Sequence, residues 1–239
     1  MELSVVVPAR NEAANVAALA HEIVDALRGH VKFEIIFVDD ASDDASARIF
    51  ADLMQGIPEL RVLQHRQRAG QSAAIRNGVR AARADWIATL DGDGQNDPAD
   101  LLRLVARRAE SPAEIKLFAG WRTDRHDSAS KRWASRFANA LRARVLHDAT
   151  PDTGCGTKLF ERAAFLDLPY FDHMHRFLPA LMHRDGWRTL SVPVNHRPRT
   201  AGTSNYNNLQ RAWVGISDLR GVAWLIRRAA RAPVDEISR

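Results

Sequence analysis

Apolar positions along the first hundred residues alternate between two rhythms. Leu3 to Val7 (LSVVV) and Glu34 to Val38 (EIIFV) are short runs of β-branched and aromatic residues that stop at polar ones, the pattern of strands buried on both faces. Between them, Glu12 to Leu27 spaces Val16, Leu19, Ala20, Ile23, Ala26 and Leu27 at helical intervals, and Gly29 closes the segment, so a helix is predicted there. The pattern repeats, predicting a helix over Ala45 to Met54, a strand over Leu60 to Gln64, a helix over Gln71 to Arg83 and a strand over Trp86 to Leu90. Strand and helix in alternation predict a doubly wound α/β sheet that holds ligands at the carboxyl ends of its strands. Three of those ends carry polar clusters: Pro8-Ala9-Arg10-Asn11-Glu12, Asp39-Asp40-Ala41-Ser42 and Asp91-Gly92-Asp93-Gly94-Gln95. They are expected to converge on one crevice.

After Asp100 the rhythm changes. A helix over Ala99 to Arg108 follows Asp97-Pro98, and Ile115 to Gly120 predicts a strand. Ser130 to His147 places Trp133, Phe137, Leu141 and Val145 four apart on one helical stripe, with Arg132, Arg136 and Arg144 on an adjacent one. Such a helix is either a core helix with a solvated face or one that lies in a lipid headgroup region. Leu209, Ala212, Trp213, Ile216, Leu219, Ala223 and Ile226 form a further apolar sector, interrupted by Arg220 and loosened by Gly215 and Gly221. Arg227, Arg228 and Arg231 follow it, and 232–239 reads as a tail. Internal repeats and low-complexity linkers are absent from the sequence.

Composition narrows the class. At 239 residues, 46% hydrophobic and 26% charged, the chain is globular and long enough for one large domain with a substantial core. The formal charge of +5 hides a polarity. Residues 1–100 carry 10 basic and 16 acidic side chains; the remainder carries 24 and 13. Only Lys32, Lys116, Lys131 and Lys158 are lysines, so the basic half is almost all Arg, whose planar fork suits phosphate. Arg-rich codon usage accounts for the Arg:Lys ratio as readily, but not for the polarity. A single cysteine, Cys155, excludes an internal disulfide framework and a cysteine zinc cluster, predicts a reducing compartment, and between Gly154 and Gly156 reads as a small packing residue. The first nine residues lack the features of a secretory signal, and no stretch reaches the ~18 apolar residues of a spanning helix. A soluble or peripheral protein is expected.

Neither G-x-G-x-x-G after the first strand nor G-x-x-x-x-G-K-[ST] occurs, which removes the dinucleotide-dehydrogenase and Walker-ATPase readings. What remains at the strand ends is carboxylate. Asp91 and Asp93, separated by one glycine just beyond a strand, offer hard oxygen ligands to Mg²⁺ or Mn²⁺, and Gln95 adds a neutral oxygen. D-G-D by itself is a common solvated turn. Its place after an apolar strand, with Asp39-Asp40 after another, favours the metal.

Together, VVVPARNE, FVDDASDD, AGQSAAIRNG, TLDGDGQNDP, AGWR and HRPRTAGTSNY resemble the family-2 glycosyltransferases of GT-A fold. Among these the likeness is greatest to dolichol-phosphate mannose synthases and bacterial polyprenyl-phosphate glycosyltransferases, and it covers residues 1–230 in order. The resemblance implies a Rossmann-like doubly wound mixed sheet in a domain over 1–206, donor half 1–100 and acceptor half 101–206, then an amphipathic segment at 207–231. It implies that Pro8, Arg10, Glu12, Val38, Asp39 and Asp40 hold the nucleotide base and ribose, that Gly92 passes close to the nucleotide, and that Asp91, Asp93 and Gln95 take the metal. Arg122 and Arg199 would contact diphosphate or acceptor phosphate, and Lys131 and Ser135 the lipid phosphate. Arg10 stands where an aromatic residue is common, and Asn205, in the nucleotide-sugar site, where mannose synthases commonly have Lys. Gly202 would let its loop close.

Three functions follow. The first is inverting transfer of a sugar from GDP-mannose or a UDP-sugar to a dolichyl or undecaprenyl phosphate, by a peripheral protein on the anionic cytoplasmic face of the membrane. A phosphate acceptor is already anionic near neutral pH and needs no strong general base; a hydroxyl acceptor does. Transfer to a glycan hydroxyl is therefore the second, with Asp152 and Asp172 as possible bases, although each reads first as structural. His126, His173, His175 and His196 likewise read as surface or packing residues. The third is a non-catalytic module that binds nucleotide-sugar or anionic lipid. Nucleic acid is not an expected partner, because the basic residues lack a recognition motif with aromatic platforms.

Overall fold

A computed structural model describes residues 1–123, 142–146, 148, 150–197 and 208–230, the side chains of 208–214 excepted. The predicted alternation is present: β1 (Leu3–Ala9), α1 (Val16–Leu27), β2 (Phe33–Asp39), α2 (Ser46–Gly56), β3 (Leu60–Gln64), α3 (Gln71–Ala81), β4 (Trp86–Thr89), α4 (Asp100–Ala109) and β5 (Ile115–Arg122). Helix α1 starts four residues later than its apolar spacing predicts. Glu12 to Asn15 close a turn instead, in which the Glu12 carbonyl accepts from the amides of Asn15 and Val16 at 2.8 and 3.0 Å.

Beyond residue 150 the structure adds elements that apolar spacing does not predict, namely β6 (Lys158–Glu161), α5 (Arg162–Asp167), a 3₁₀ turn (Met174–Arg176), α6 (Leu178–Arg184) and β7 (Arg188–Val194), and then the helix expected on the last apolar sector, α7 (Asn208–Arg227). The seven strands form one sheet in the order β3-β2-β1-β4-β6-β5-β7. β6 runs antiparallel to both β4 and β5, and the other described pairings are parallel. Six strands therefore end on one edge. Because β6 alone is reversed, that edge also receives the segment leading into it, Pro151 to Thr157. The change in charge sign at Asp100 is not a seam, since β4 of the acidic half pairs with β6 of the basic half.

Two apolar layers enclose the sheet. One joins β1, β2 and β5 to α1, α2 and α4 through Leu19, Ile23, Phe50, Leu101 and Phe118. The other joins α3, α5, α6 and α7 through Ile75, Phe160, Phe165, Leu181 and Val222. α7 is docked along its second half: Val222 is wholly buried with Leu219, Ala223, Leu225 and Ile226 packed beside it, and Arg184 Nε donates to the Leu225 carbonyl at 3.0 Å. Ile216, predicted in the same apolar sector, is exposed. Of the helix predicted over Ser130 to His147, residues 142–146 are described and helical; Leu146 is the buried apolar position there, with Arg142 buried as well, whereas Val145, placed on the apolar stripe by spacing, faces out. Trp133, Phe137, Leu141, Arg132 and Arg136 lie outside the described residues.

One polar group is built into the layers. Glu34, on β2, accepts from Ser4 Oγ at 2.7 Å, the Arg83 amide at 2.7 Å and Arg61 Nη1 at 2.6 Å. Burial opposes the charge, but these three donors outweigh it and hold the carboxyl below its usual range. A depressed carboxyl stabilises the fold above the unfolded pKa of ~4.3, and that contribution disappears as pH falls through the lower folded value. Glu34→Ala leaves Ser4 Oγ and the Arg83 amide without an acceptor, while Arg61 Nη1 keeps the Ala81 carbonyl at 3.0 Å, and is expected to cost about 2–3 kcal/mol at pH 7, with a smaller difference at the acid end of the denaturation series. An equal loss at pH 7 and below pH 4 would contradict this.

Candidate active site

The crevice opens where β1 and β4 lie side by side, because the chain leaves β1 toward β2 on one flank and returns to β4 on the other. Pro8 to Glu12 and Asp91 to Gln95 leave these two strands together. Gly92 is packed between them: a Cβ there would lie 2.8 Å from the Pro8 carbonyl oxygen. The absence of a side chain at Gly92 is thus required by strand packing, whatever approaches from outside.

The loops after β1 and β2 are zipped together. The Asn11 amide donates to Ser42 Oγ at 3.0 Å, Asn11 Nδ2 donates to Asp43 Oδ1 at 2.7 Å, and the Ala13 amide donates to Asp44 Oδ2 at 3.1 Å. Asn11 and Ala41 both have φ of 55°, so each loop turns through a left-handed residue. Asp39 accepts from Ser42 through Oδ1 and from Gln64 Nε2 through Oδ2, at 3.1 Å. Asp40 Oδ1 accepts from His65 Nδ1 and the Ala69 amide, both at 2.7 Å, and Oδ2 from the Gly70 amide at 2.8 Å. Both carboxylates are buried and turned inward, holding their own loops. The Val38 side chain is wholly buried in the layer under α3, which leaves its main chain as the part that could meet a nucleotide. Arg10 keeps a buried Nε with no hydrogen-bond partner among the described residues, the one nucleotide-site candidate here with an unmet donor.

At the end of β4, Asn96 Oδ1 accepts from the Asp91 amide at 2.8 Å and Asp93 Oδ1 from the Gln95 amide at 3.1 Å, so the loop curls back on itself. Gln71 Nε2 donates to Asp91 Oδ1 at 2.9 Å. The Gly156 main chain lies against the same carboxylate, where a Cβ would be 2.2 Å from Oδ2. Burial, then the like charge of Asp93, pushes the Asp91 carboxyl up, against the pull of Lys158, Arg122 and Gln71. Among the described residues no three His, Cys, Asp or Glu side chains form a closed metal cage. Two carboxylates that repel each other, with one amide, are instead a partial set of hard oxygens. That suits Mg²⁺ or Mn²⁺, which keep positions for water and phosphate.

Arg122, the last residue of β5, reaches the same edge. Its Nε and Nη2 donate to Asp152 Oδ2 and Oδ1 at 2.7 and 2.9 Å, a bidentate pair that is largely buried. Burial works against the guanidinium charge, but Asp152 more than restores it. Lys158 Nζ, buried beneath, donates to the Cys155 carbonyl, and desolvation pushes its pKa down. Cys155 is a fully buried packing residue whose Sγ would meet a Cβ at Gly120, and burial pushes its thiol up.

The sequence pattern of glycosyl transferase family 2 matches residues 4–168. The chain belongs to this family. It is 34% identical over 238 residues to a dodecaprenyl-phosphate galacturonate synthase of Rhizobium johnstonii, covering 97% of this chain and 69% of that protein. It is 33% identical over 211 residues to an undecaprenyl-phosphate 4-deoxy-4-formamido-L-arabinose transferase of Pseudomonas paraeruginosa, covering 87% of this chain and 61% of that protein. The chain thus spans between three fifths and seven tenths of the length of these relatives. In structure it is similar to glucosyl-3-phosphoglycerate synthase from Mycobacterium tuberculosis, solved with Mg²⁺ and UDP (TM-score 0.68, 20% identity, 95% of this chain and 79% of that one). It is also similar to a mannosyltransferase from Pyrobaculum calidifontis, solved with GDP-Man and Mn²⁺ (TM-score 0.69, 19% identity, 97% and 66%). The fold is GT-A.

In this family-2 glycosyltransferase, Lys131, Ser135, Arg199, Gly202, Asn205 and His126 lie outside the described residues. The segment that leads to Arg199 is nonetheless anchored to the acidic loop. Asn96 and His196 bridge, the Arg197 amide donates to the Gln95 carbonyl at 3.0 Å, and Arg197 pairs with Glu22 at 2.6 Å and Asp97 at 2.9 Å. Gln95 Nε2 in turn approaches the Arg197 carbonyl at 3.4 Å, which leaves Oε1 as the end of the amide with no protein partner among the described residues. His173 pairs with Asp218 of α7 at 3.0 Å, and Asp172 accepts from the His173 amide at 2.8 Å, its Oδ1 standing 3.4 Å from where a Cβ at Gly70 would lie. His175 is buried against Ser72 Oγ at 2.7 Å, and burial followed by repulsion from Lys158 and Arg176 pushes it down to about 3, so it is neutral. Gln71 and Gly156 are the site residues that sequence patterns did not single out, and Asp152, read there as a possible base or a structural residue, is the partner of Arg122. Each meets its partner from 20 or more positions away.

Proposed function

We propose that this glycosyltransferase moves a sugar, with inversion, from a nucleotide-sugar donor to a polyprenyl phosphate. The observation that carries the reading is the pairing, at one strand edge, of an acidic set suited to a divalent cation with a guanidinium fork locked in place by Asp152. The acid side, Asp91, Asp93 and Gln95, would hold Mg²⁺ or Mn²⁺, which when bound offsets the charge gathering on a departing nucleoside diphosphate. Arg122 is preorganised by two hydrogen bonds and directs its remaining donors at phosphate without reorganising during reaction. Pro8, Arg10 and Glu12 would border the base and ribose, with Arg10 Nε the donor available to them. The curated relatives named as polyprenyl-phosphate transferases support the acceptor.

The carboxylates support it too. A hydroxyl acceptor needs a free base near the reacting atoms, but Asp152 has both oxygens in the Arg122 fork and Asp172, largely exposed, accepts from the His173 amide. A phosphate oxygen attacks without one. Labelled UDP- and GDP-sugars supplied with undecaprenyl phosphate are expected to yield an organic-extractable product. Label appearing only in soluble oligosaccharide would replace this reading with the glycan acceptor, and nucleotide binding without turnover on either acceptor would favour the binding module.

The site would work peripherally on the cytoplasmic face of the membrane. No helix among the described residues is long and apolar enough to cross a bilayer. The outward stripe of α7 and the residue just after it set Ile216, Arg220, Trp224 and Arg228 four apart, all exposed, with the Arg228 guanidinium 5.8 Å from the Trp224 ring centre. An aromatic side chain between two cations, with an aliphatic one a turn before them, suits an anionic interface. In the same assay, vesicles containing phosphatidylglycerol are expected to retain the protein at low salt and release it at moderate salt.

A further inference from the structure

Gln71 belongs to none of the three strand-end clusters, yet it is the side chain hydrogen-bonded to the Asp91 carboxylate, at 2.9 Å. It is exposed, carries no core packing, and is the first residue of α3. Its position depends on the loop before it. That loop starts with His65, whose amide donates to the Asp39 carbonyl at 2.9 Å, and ends at Gly70, which takes φ of 87°. Asp40 grips the loop at three points: His65 Nδ1, the Ala69 amide and the Gly70 amide. Asn77, one and a half turns along α3, donates from Nδ2 to His65 Nε2 at 2.9 Å and ties the loop back to the helix. Asp40 is 5% exposed and has both oxygens committed to this brace.

A carboxylate that reaches a divalent ion needs its orientation set by a neighbouring donor, and outer-shell donors of this kind carry much of a site's affinity. We propose that Gln71 is a positioning residue that holds the Asp91 carboxylate in its ligating orientation, and that Asp40 acts on the cation site through Gln71, by fixing the turn that begins α3. This rests on the reading of Asp91 as a cation ligand.

The test is Mn²⁺ binding by the full chain in the presence of UDP or GDP, followed by electron paramagnetic resonance, with thermal stability measured in parallel. Gln71→Ala is expected to weaken Mn²⁺ about tenfold or more without shifting Tm, and to raise by a similar factor the Mn²⁺ concentration for half-maximal turnover. Asp40→Asn is expected to weaken Mn²⁺ in the wild-type background and to add less than twofold in the Gln71→Ala background. Mn²⁺ affinity of Gln71→Ala within twofold of wild type overturns the proposal. So does an Asp40→Asn effect that is undiminished without Gln71, which marks Asp40 as acting directly. Wild-type protein that binds no Mn²⁺ with either nucleotide overturns the cation reading itself, and the positioning role with it. Gln71→Ala alters only an exposed side chain, so the outcome does not depend on Asp40→Asn folding.

Discussion

Asp93→Ala is expected to abolish sugar transfer, lowering kcat/KM by about 10³-fold or more, while the protein folds normally. Loss of a charged oxygen ligand removes several kcal/mol of stabilisation from the departing diphosphate, and each ~1.4 kcal/mol is tenfold in rate. The structural cost is small. Asp93 lies on the half-exposed loop beyond β4 and caps the Gln95 amide at 3.1 Å, with no place in either apolar layer. Tm is therefore expected to move by no more than a few degrees. Removal of divalent ions with excess EDTA should bring the wild-type rate down to that of the variant, and restoring Mn²⁺ should rescue only the wild type. Turnover by Asp93→Ala that is undiminished in excess EDTA would sink the metal assignment.

Gly156→Ala is expected to be nearly as damaging to activity, by about 10²-fold, through a different route. The new Cβ would stand 2.2, 2.4 and 2.7 Å from Asp91 Oδ2, Cγ and Oδ1, closer than atoms can pack. The main chain cannot simply retreat, because the Gly156 carbonyl accepts from Thr89 Oγ1 at 2.7 Å and β6 is paired on both sides just beyond. The Asp91 carboxylate must turn away, and overpacking of this kind costs about 1–3 kcal/mol of stability. Gly154→Ala is the matched control. Its Cβ would meet Arg122 Nη2 at 3.4 Å and Asp152 Oδ1 at 3.7 Å, ordinary contacts, so kcat/KM is expected to stay within a few-fold of wild type. Full activity in Gly156→Ala would show that Asp91 is not needed in the orientation the fold imposes.

The two substitutions differ in how readily they are found. Asp93 is visible in the sequence, because D-G-D stands immediately after an apolar strand and both facts are local. Gly156 is not, since nothing in T-G-C-G-T reveals that one glycine abuts a carboxylate 65 positions earlier and the other does not. The partners of Asp39 and Asp40 are hidden for a related reason. A D-D pair at a strand end reads as a ligand-facing cluster, yet which way each carboxylate turns depends on Gln64, His65 and the amides of Ala69 and Gly70. Val38 reads as part of the nucleotide site from its motif, and its side chain proves to be core. In α7, an apolar sector of the correct period includes Ile216, which is exposed, and omits Val222, which is the position most deeply packed.

The charge polarity along the chain acquires a physical meaning that the net value of +5 conceals. Arg122 of the basic half lies within electrostatic reach of Asp91, and Arg197 pairs with Glu22 and Asp97 of the acidic half. The two halves meet at the acidic loop instead of dividing into separate bodies.

By itself the sequence determined the alternating strands and helices through α4, the strand after them, the acidic pair beyond β4 and the family. Periodicity, turn residues and contiguous motifs are properties of neighbouring positions. Only the tertiary structure decided that β6 runs backwards and delivers Asp152 and Gly156 to the crevice, that Asp152 locks Arg122, and that Asp40 braces the loop preceding Gln71. Those contacts join residues 20 to 65 positions apart, and their geometry follows from how the strands are ordered in the sheet.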